Sequence, residues 1–402
     1  MQELYRSETV VVRCIPCDDL SRWVVTFDNY GLGPGFDRVG FGEVFLQSQG
    51  ISAIHVLGRG NDWYQYPDMA EALATVRDAV ASADRVMTYG SSMGGYAAVR
   101  FAQPVGATSV LAFSPQYSLD PRKIAHDPRW KEDARRIEWR EDVDGPIQSS
   151  IRPVVIYDST GLDGWHGDRI AQDIGITAIK LPLTAHPVAV YLDEIGMLRA
   201  LVLDTLDGSI DPPAVEREAR RRRRASANYF GELARRQPLS RAATALALAR
   251  RAVELGPTNG HALSSLAALL SREGLHDESL DCHARLLAIT GPKPDYLIPY
   301  GDALFAAGRQ EDASEVARQV SAMAPHMARF QLWAGNMLWR CGATEEAVSL
   351  VEAAAAHNPG EETLTARIRS WRLAPPPGPT VIGRGLWARI RRWGARVRRN
   401  GL

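Results

Sequence analysis

Cysteine is scarce: four in 402 residues exclude a disulfide scaffold. No apolar run approaches the ~18 residues that a membrane-spanning helix needs. Net charge is also missing, because 47 Lys and Arg balance 47 Asp and Glu. Without a basic excess, no specific nucleic-acid partner is expected. The opening MQELYRSETV shows no basic segment followed by an apolar stretch, so no secretory leader is read and a cytoplasmic location is expected. Cys14 and Cys17 form a C-x-x-C, but Cys282 and Cys341 stand alone and far away. A zinc site would want a second pair at similar spacing, so the two read as small residues ending a strand, with no metal or cofactor. Acidic residues are absent from the final forty positions, which makes the charge balance a local matter.

What is present is enough apolar material, 45% of the chain, for real cores, in a length that calls for two domains. Residues 9–206 alternate short β-branched runs with helical stretches, the pattern of a mostly parallel, doubly wound α/β sheet covered on both faces. The strand candidates are 9–15, 22–27, 52–57, 85–90, 109–114, 153–158 and 177–182, with helices over 67–82 and 93–102. The first domain is therefore placed at 1–208. Residues 209–224, with two prolines and the arginine run Arg220–Arg224, read as a basic linker.

Past residue 225 the composition turns to Ala, Leu, Arg and Glu and a period emerges. Gly274, Gly308 and Gly342 lie 34 residues apart, and Pro257, Gly291, Pro325 and Pro359 fall on a second ruler of the same period. Ala245, Ser279, Ala313 and Ala347 occupy one small-residue position in each unit. Glycine permits the turn between two antiparallel helices, the small residue permits their approach, and proline ends the second helix. The segment resembles the tetratricopeptide repeat (TPR) over 225–368, with a weaker leading copy from about 225. That resemblance implies a protein or peptide partner held in the groove of an all-α array. LAPPPGPT then reads as an extended linker within 373–382. The tail 383–402 sets Leu386, Ile390, Trp393 and Val397 on one helical face among arginines, which fits peripheral contact with an anionic membrane.

Chemistry concentrates in RVMTYGSSMGGYAAVRFA, residues 85–102, where Gly90-Ser91-Ser92-Met93-Gly94 matches G-x-S-x-G between a strand and a helix. A serine at such a turn is held with its hydroxyl above the sheet, and small residues two positions either side avoid a clash. A phosphate loop of the Walker kind would need a Lys after the glycines, and Tyr96 and Ala97 stand there instead. The turn aims the Met93 N–H at the place where charge develops on a substrate carbonyl. Over about 20–206 the chain resembles the α/β-hydrolase family, the serine esterases and acyltransferases. That resemblance implies a triad in the order Ser92, acid, His186, with the acid after a late strand and the histidine after the last one. Asp163 is the preferred acid and Asp158 the alternative. The family's second oxyanion donor is a backbone N–H after an early strand, here Asn29 or Tyr30, although the usual HG signature is absent. Asn61, Asp62, Trp63 and Tyr64 are expected to touch a small ester or glycan-type substrate, and 126–142 supplies a short lid. Hydrolysis and acyl transfer share this machinery, and a repeat scaffold with a secondary or inactive first domain is the other reading.

Overall fold

The computed structural model describes residues 1–31, 33, 35–124 and 127–373. The proline-rich segment and the basic tail expected at 373–382 and 383–402 lie outside them, apart from Leu373. Contacts divide the chain into Met1–Arg236 with Glu254–Gly256, and Gln237–Val253 with the chain from Pro257 onward.

The first unit is built on strands β1 (Gln2–Arg6), β2 (Val10–Ile15), β3 (Asp19–Phe27), β4 (Ile51–Gly58), β5 (Arg85–Ser91), β6 (Ser109–Phe113), β7 (Val154–Tyr157) and β8 (Thr177–Lys180). They form one sheet in the order β1-β2-β4-β3-β5-β6-β7-β8. The pairs β1·β2 and β2·β4 are antiparallel, and every pair from β4·β3 to β7·β8 is parallel. The strand expectations hold to within a few residues. β1 escaped them because its sequence, QELYR, is an edge strand mostly open to solvent and carries no apolar signal. Cys14 lies buried in β2 with its thiol free, and Cys17 follows the strand.

Helices are α1 (Glu43–Ser48), α2 (Met69–Ala79), α3 (Met93–Arg100), α4 (Lys131–Arg136), α5 (Glu141–Asp144), α6 (Leu162–Ile174), α7 (Val188–Glu194), α8 (Leu198–Asp207), α9 (Pro212–Arg222) and α10 (Ala227–Arg235). All eight residues of β4 are buried, as the middle of a sheet covered twice requires. Alternate side chains divide between two cores. Val25, Phe27 and Val56 pack with α2, α3 and α6 on one face, whereas Val24, Met87, Leu111 and Ile156 pack with α1, α7, α8 and α9 on the other.

Residues 209–224 are not a linker. Asp211 caps α9 by accepting the Ala214 N–H at 3.1 Å, prolines occupy its first turn, and Val215 and Ala219 enter the sheet's core. The first three arginines of the run, Arg220–Arg222, are exposed at the end of that helix, so their charge obscured two buried apolar positions. Nor does the leading repeat begin a full unit of the array. α10 packs on α7, and the Ser226 hydroxyl and the Asn228 N–H both donate to Glu194, which ties this stretch to the first unit.

The second unit runs α11 (Ala242–Leu255), α12 (Gly260–Arg272), α13 (His276–Thr290), α14 (Pro294–Ala306), α15 (Gln310–Met323), α16 (Ala328–Arg340), α17 (Thr344–His357) and α18 (Glu362–Leu373). α12/α13, α14/α15 and α16/α17 are hairpins turned at Gly274, Gly308 and Gly342, whose φ values of 74°, 79° and 91° are left-handed. Ala245, Ser279, Ala313 and Ala347 are all fully buried on the first turn of the second helix, and the Ser279 hydroxyl donates to Ala267 O at 2.9 Å across its hairpin. α18 closes the array, its Trp371 stacked on Trp339 at 4.8 Å. Among the described residues no helix is long and apolar enough to cross a membrane.

Candidate active site

Three parts of the sheet meet at Ser92. The residue stands between β5 and α3 with φ 55° and ψ −117°, a left-handed conformation that a non-glycine residue adopts only when its surroundings enforce it. Those surroundings are visible. A Cβ on Gly90 would lie 2.1 Å from Gly94 O, and one on Gly94 would lie 2.4 Å from Phe27 O and 2.9 Å from Asp28 O. Gly95, which the motif does not specify, is pressed as well, its absent Cβ 3.1 Å from Phe113 O. The Ser92 N–H donates to Phe113 O at 2.9 Å, so β6 fixes the bend from the far side.

The hydroxyl sits 2.9 Å from His186 Nε2, and His186 Nδ1 sits 2.8 Å from Asp163 Oδ2. Ser92 and Asp163 are buried, at 5% and 3% exposure, while the His186 side chain keeps 20%. Asp163 comes from the first turn of α6, after β7, and His186 from the loop after β8. Burial would raise the Asp163 carboxyl, but the facing His186 and Arg129 outweigh it and hold the group at about 2.

Asp158, the alternative acid, is fully engaged elsewhere. It accepts N–H groups from Thr160 at 2.8 Å, Thr184 at 2.9 Å, Ala185 at 3.1 Å and Leu183 at 3.3 Å. Leu183 and Ala185 take positive φ, 65° and 64°, so this carboxylate holds in shape the strained loop that presents His186. It is the anchor of the histidine loop, and it does not contact the imidazole.

Two side chains that sequence reasoning missed touch the same line. Gln116 Nε2 donates to Ser92 Oγ at 3.2 Å, and Gln116 Oε1 accepts from the Trp63 indole at 3.1 Å. An indole N–H only donates, which fixes the amide's orientation; Ser92 Oγ then accepts from Gln116 and turns its own hydrogen to His186. Arg129 Nη1 donates to Asp163 Oδ1 at 2.7 Å, so the acid is held at both oxygens. Trp130 follows it and sets its ring edge-on to His186, with centroids 5.4 Å apart.

The expected substrate loop is mostly turned inward. Trp63 and Tyr64 are 0% and 1% exposed. Their positive φ values, 50° and 58°, direct both rings into the protein, where the Tyr64 hydroxyl accepts the Asp28 N–H at 2.6 Å and donates to Val56 O at 3.1 Å. Asn61 Oδ1 accepts the Gly31 N–H at 2.8 Å, bracing the loop after β3. Burial raises the Asp62 carboxyl, against a hydrogen bond from Tyr66 that lowers it. Trp63 and Tyr64 thus support the site from behind, while Asn61 and Asp62 remain partly open to solvent. Tyr30 contributes an aromatic wall with Trp63 and Trp130, its hydroxyl donating to Asp133 at 2.9 Å, and Asn29 beside it is exposed. The close approach of Phe27 and Asp28 to Gly94 brings this loop against the start of α3, where Met93 is buried. Residues 127–142, expected as a lid, form the strap that carries Arg129, Trp130, α4 and α5; His126 lies outside the described residues. Among the described residues no group of three or more His, Cys, Asp or Glu side chains gathers as a metal site would.

No protein-family model matches the chain, and no curated protein does. Solved structures to which it is similar include proteins described as TPR proteins. One is YrrB, described as a TPR protein with an unusual peptide-binding site, at 17% identity over 39% of this chain and 80% of that chain, TM-score 0.32. Another is a thermophilic TPR protein of Thermus thermophilus, at 18% identity over 46% of this chain and 98% of that chain, TM-score 0.33. MamA of Desulfovibrio magneticus RS-1 stands at 17% identity over 37% of this chain and 84% of that chain, TM-score 0.31. A sheet-containing unit with an ordered Ser–His–Asp line, followed by a separate helical repeat unit resembling TPR, is what the chain presents.

Proposed function

We propose that the first unit is a serine-dependent acyl hydrolase or acyltransferase of α/β-hydrolase type acting through Ser92, His186 and Asp163. The observation that carries this reading is the unbroken hydrogen-bonded line from a strained hydroxyl to a buried carboxylate, at 2.9 Å and 2.8 Å. His186 Nε2 takes the Ser92 proton as Oγ bonds to the carbonyl carbon, and the carbonyl π pair moves onto oxygen. The Met93 N–H and a backbone N–H from Asn29 or Tyr30 receive that oxyanion. Collapse breaks the bond to the leaving alkoxide, which recovers the proton from His186 and leaves an acyl-serine. Water or an acceptor hydroxyl then repeats the sequence in reverse, so hydrolysis and transfer differ only in the acceptor. A small ester or a glycan-borne acyl group suits a site whose strap is short, and the steps call on side chains and backbone of this chain alone.

A second reading has its own observation: the hairpins of the second unit expose large apolar side chains, Leu275, Ile289 and Met323, on a regular helical array. In that reading the chain is a scaffold for a protein or peptide, and the first unit is secondary or inactive. A fluorophosphonate probe separates the two. Labelling of the wild-type chain that disappears in Ser92→Ala supports the enzyme; folded wild-type chain that takes up no label leaves the scaffold. A panel of p-nitrophenyl esters of rising chain length then reads the acyl preference, with acetyl expected to be favoured over long chains.

A further inference from the structure

Arg129 takes no part in the chemistry proposed above, yet its guanidinium bridges two buried carboxylates beside the site. Its Nη1 donates to Asp163 Oδ1 at 2.7 Å, while Nε and Nη2 grip Asp127 at 3.1 Å and 2.8 Å. Its guanidinium carbon also lies 4.9 Å from the Trp130 ring centroid. Both carboxylates are buried, at 3% and 1% side-chain exposure. Behind Asp127 stands His166 of α6, Nε2 at 3.0 Å. The Tyr117 N–H donates to His166 Nδ1 at 3.1 Å, so Nε2 carries the ring's hydrogen toward Asp127. Accepting at Nδ1 makes this the neutral ring, and burial lowers its pKa, against the Asp127 hydrogen bond that raises it. The group therefore holds one cation between two anions, with a neutral imidazole behind it.

We propose that Arg129 is a positioning residue of the Ser92 site: gripped by Asp127, it fixes the Asp163 carboxylate toward His186 Nδ1 and sets how much of that carboxylate's charge the imidazole feels. The inference rests on the serine-enzyme reading above. Asp163 has two oxygens and two partners of opposite demand. Oδ2 serves the histidine, and Oδ1 is pinned by a donor that never deprotonates. A carboxylate bonded at both oxygens cannot rotate away from the imidazole, and part of its field is spent on the guanidinium. Asp127 sets the strength of that competition by dividing Arg129's charge.

Other charges facing the cluster are accounted for. On the His186 side, Asp158 is enclosed by the amides of the histidine loop, with Arg236 3.9 Å away. On the strap, Lys131 and Arg135 line the same small cavity as Arg129 and Asp127, and Asp133 is held by Tyr30. Asp163 and Asp127 are the two charged groups within salt-bridge distance of Arg129 among the described residues.

The test is the rate at which a simple alkyl fluorophosphonate labels Ser92, followed across pH, which needs no knowledge of the natural substrate. Arg129→Met leaves Asp163 uncompensated and favours the imidazolium, so the acid limb moves up by roughly half to one pH unit. Asp127→Asn gives Asp163 a larger share of the guanidinium, so the limb moves the opposite way by a smaller step. Arg129→Lys keeps the charge but loses the fork: the limb stays near its wild-type position while the plateau rate falls about tenfold. Opposite displacement by the two neutralising variants is the signature, because lost packing lowers rates without moving a limb in either direction. Equal losses of plateau rate with unmoved limbs overturn the proposal. Should Arg129→Met fail to fold, Asp127→Asn decides alone, a downward step supporting it and an unmoved or raised limb sinking it. A folded wild-type chain that takes no label removes the enzyme reading and this inference together; a labelled one with unmoved limbs removes only the inference.

Discussion

Glycine does different work in the two units. Beside Ser92, Gly90 and Gly94 are required by space: backbone oxygens stand 2.1 Å and 2.4 Å from where their Cβ atoms would be. At the hairpin turns of the array, Gly274, Gly308 and Gly342 have nothing within 4 Å of that point, and only their positive φ calls for glycine. One unit is thus constrained by chain segments far apart in sequence, such as Phe27 against Gly94. The other is constrained by its own local backbone, repeated every 34 residues. Substitution in the first must disturb a neighbour that has nowhere to go. Substitution in the second need only satisfy a dihedral angle.

The largest expected effect tests the long-range unit. Asp163→Asn leaves His186 without its anion and should cut Ser92 labelling by roughly 10³- to 10⁴-fold, whereas Asp158→Asn, which loosens the histidine loop, should cost about 10- to 100-fold. Equal losses would dissolve the distinction between acid and anchor. Asp163 also carries a pH signature. Its carboxyl is held at about 2, below the ordinary aspartate value of 3.8, so its contribution to stability is present above about pH 4 and is lost as pH falls through 2. Acid unfolding followed by tryptophan fluorescence should show that loss in the wild-type chain and lack it in Asp163→Asn.

Next in size is Gly94→Ala, which sets a methyl against Phe27 O. A destabilisation of about 2–4 kcal/mol, read by denaturant unfolding together with loss of probe labelling, is expected. Gly94→Asn should be at least as damaging, since tolerance of left-handed backbone does not relieve a clash. The array should behave in the opposite way. Gly308→Ala is expected to cost about 1 kcal/mol with labelling intact, and Gly308→Asn only a few tenths, because asparagine accepts the left-handed angle. If asparagine rescued Gly94, or failed to rescue Gly308, the contrast drawn between the units would be wrong.

Legibility in the sequence followed the same division. The hairpin glycines, the small residues and the prolines could be placed because each acts on its neighbours along the chain. The strand–serine–helix turn could be placed for the same reason. The strap resisted, since Arg129 and Trp130 look like any charged surface run until α6 and the histidine loop are folded against them. Gln116 gave no signal at all; its place beside Ser92 comes from β6 pairing with β5. Trp63 and Tyr64 were expected to face a ligand because polar neighbours surround them, and their left-handed backbone sends them into the core instead. α9 was concealed by its arginines, which occupy the solvent side of a helix whose Val215 and Ala219 are buried.

By itself the sequence determined the alternation of strands and helices, the period of the array and the bend at Ser92, because these follow from dihedral preference and hydrophobic period over a few residues, whereas His186 was reached only through the resemblance to the α/β-hydrolase family. Tertiary structure alone decided which aspartate meets the histidine, which amide meets the serine, and which arginine holds the acid. Those choices depend on where strands distant in the chain come to rest, as the 94-residue separation of Ser92 and His186 shows, and no local rule carries that information.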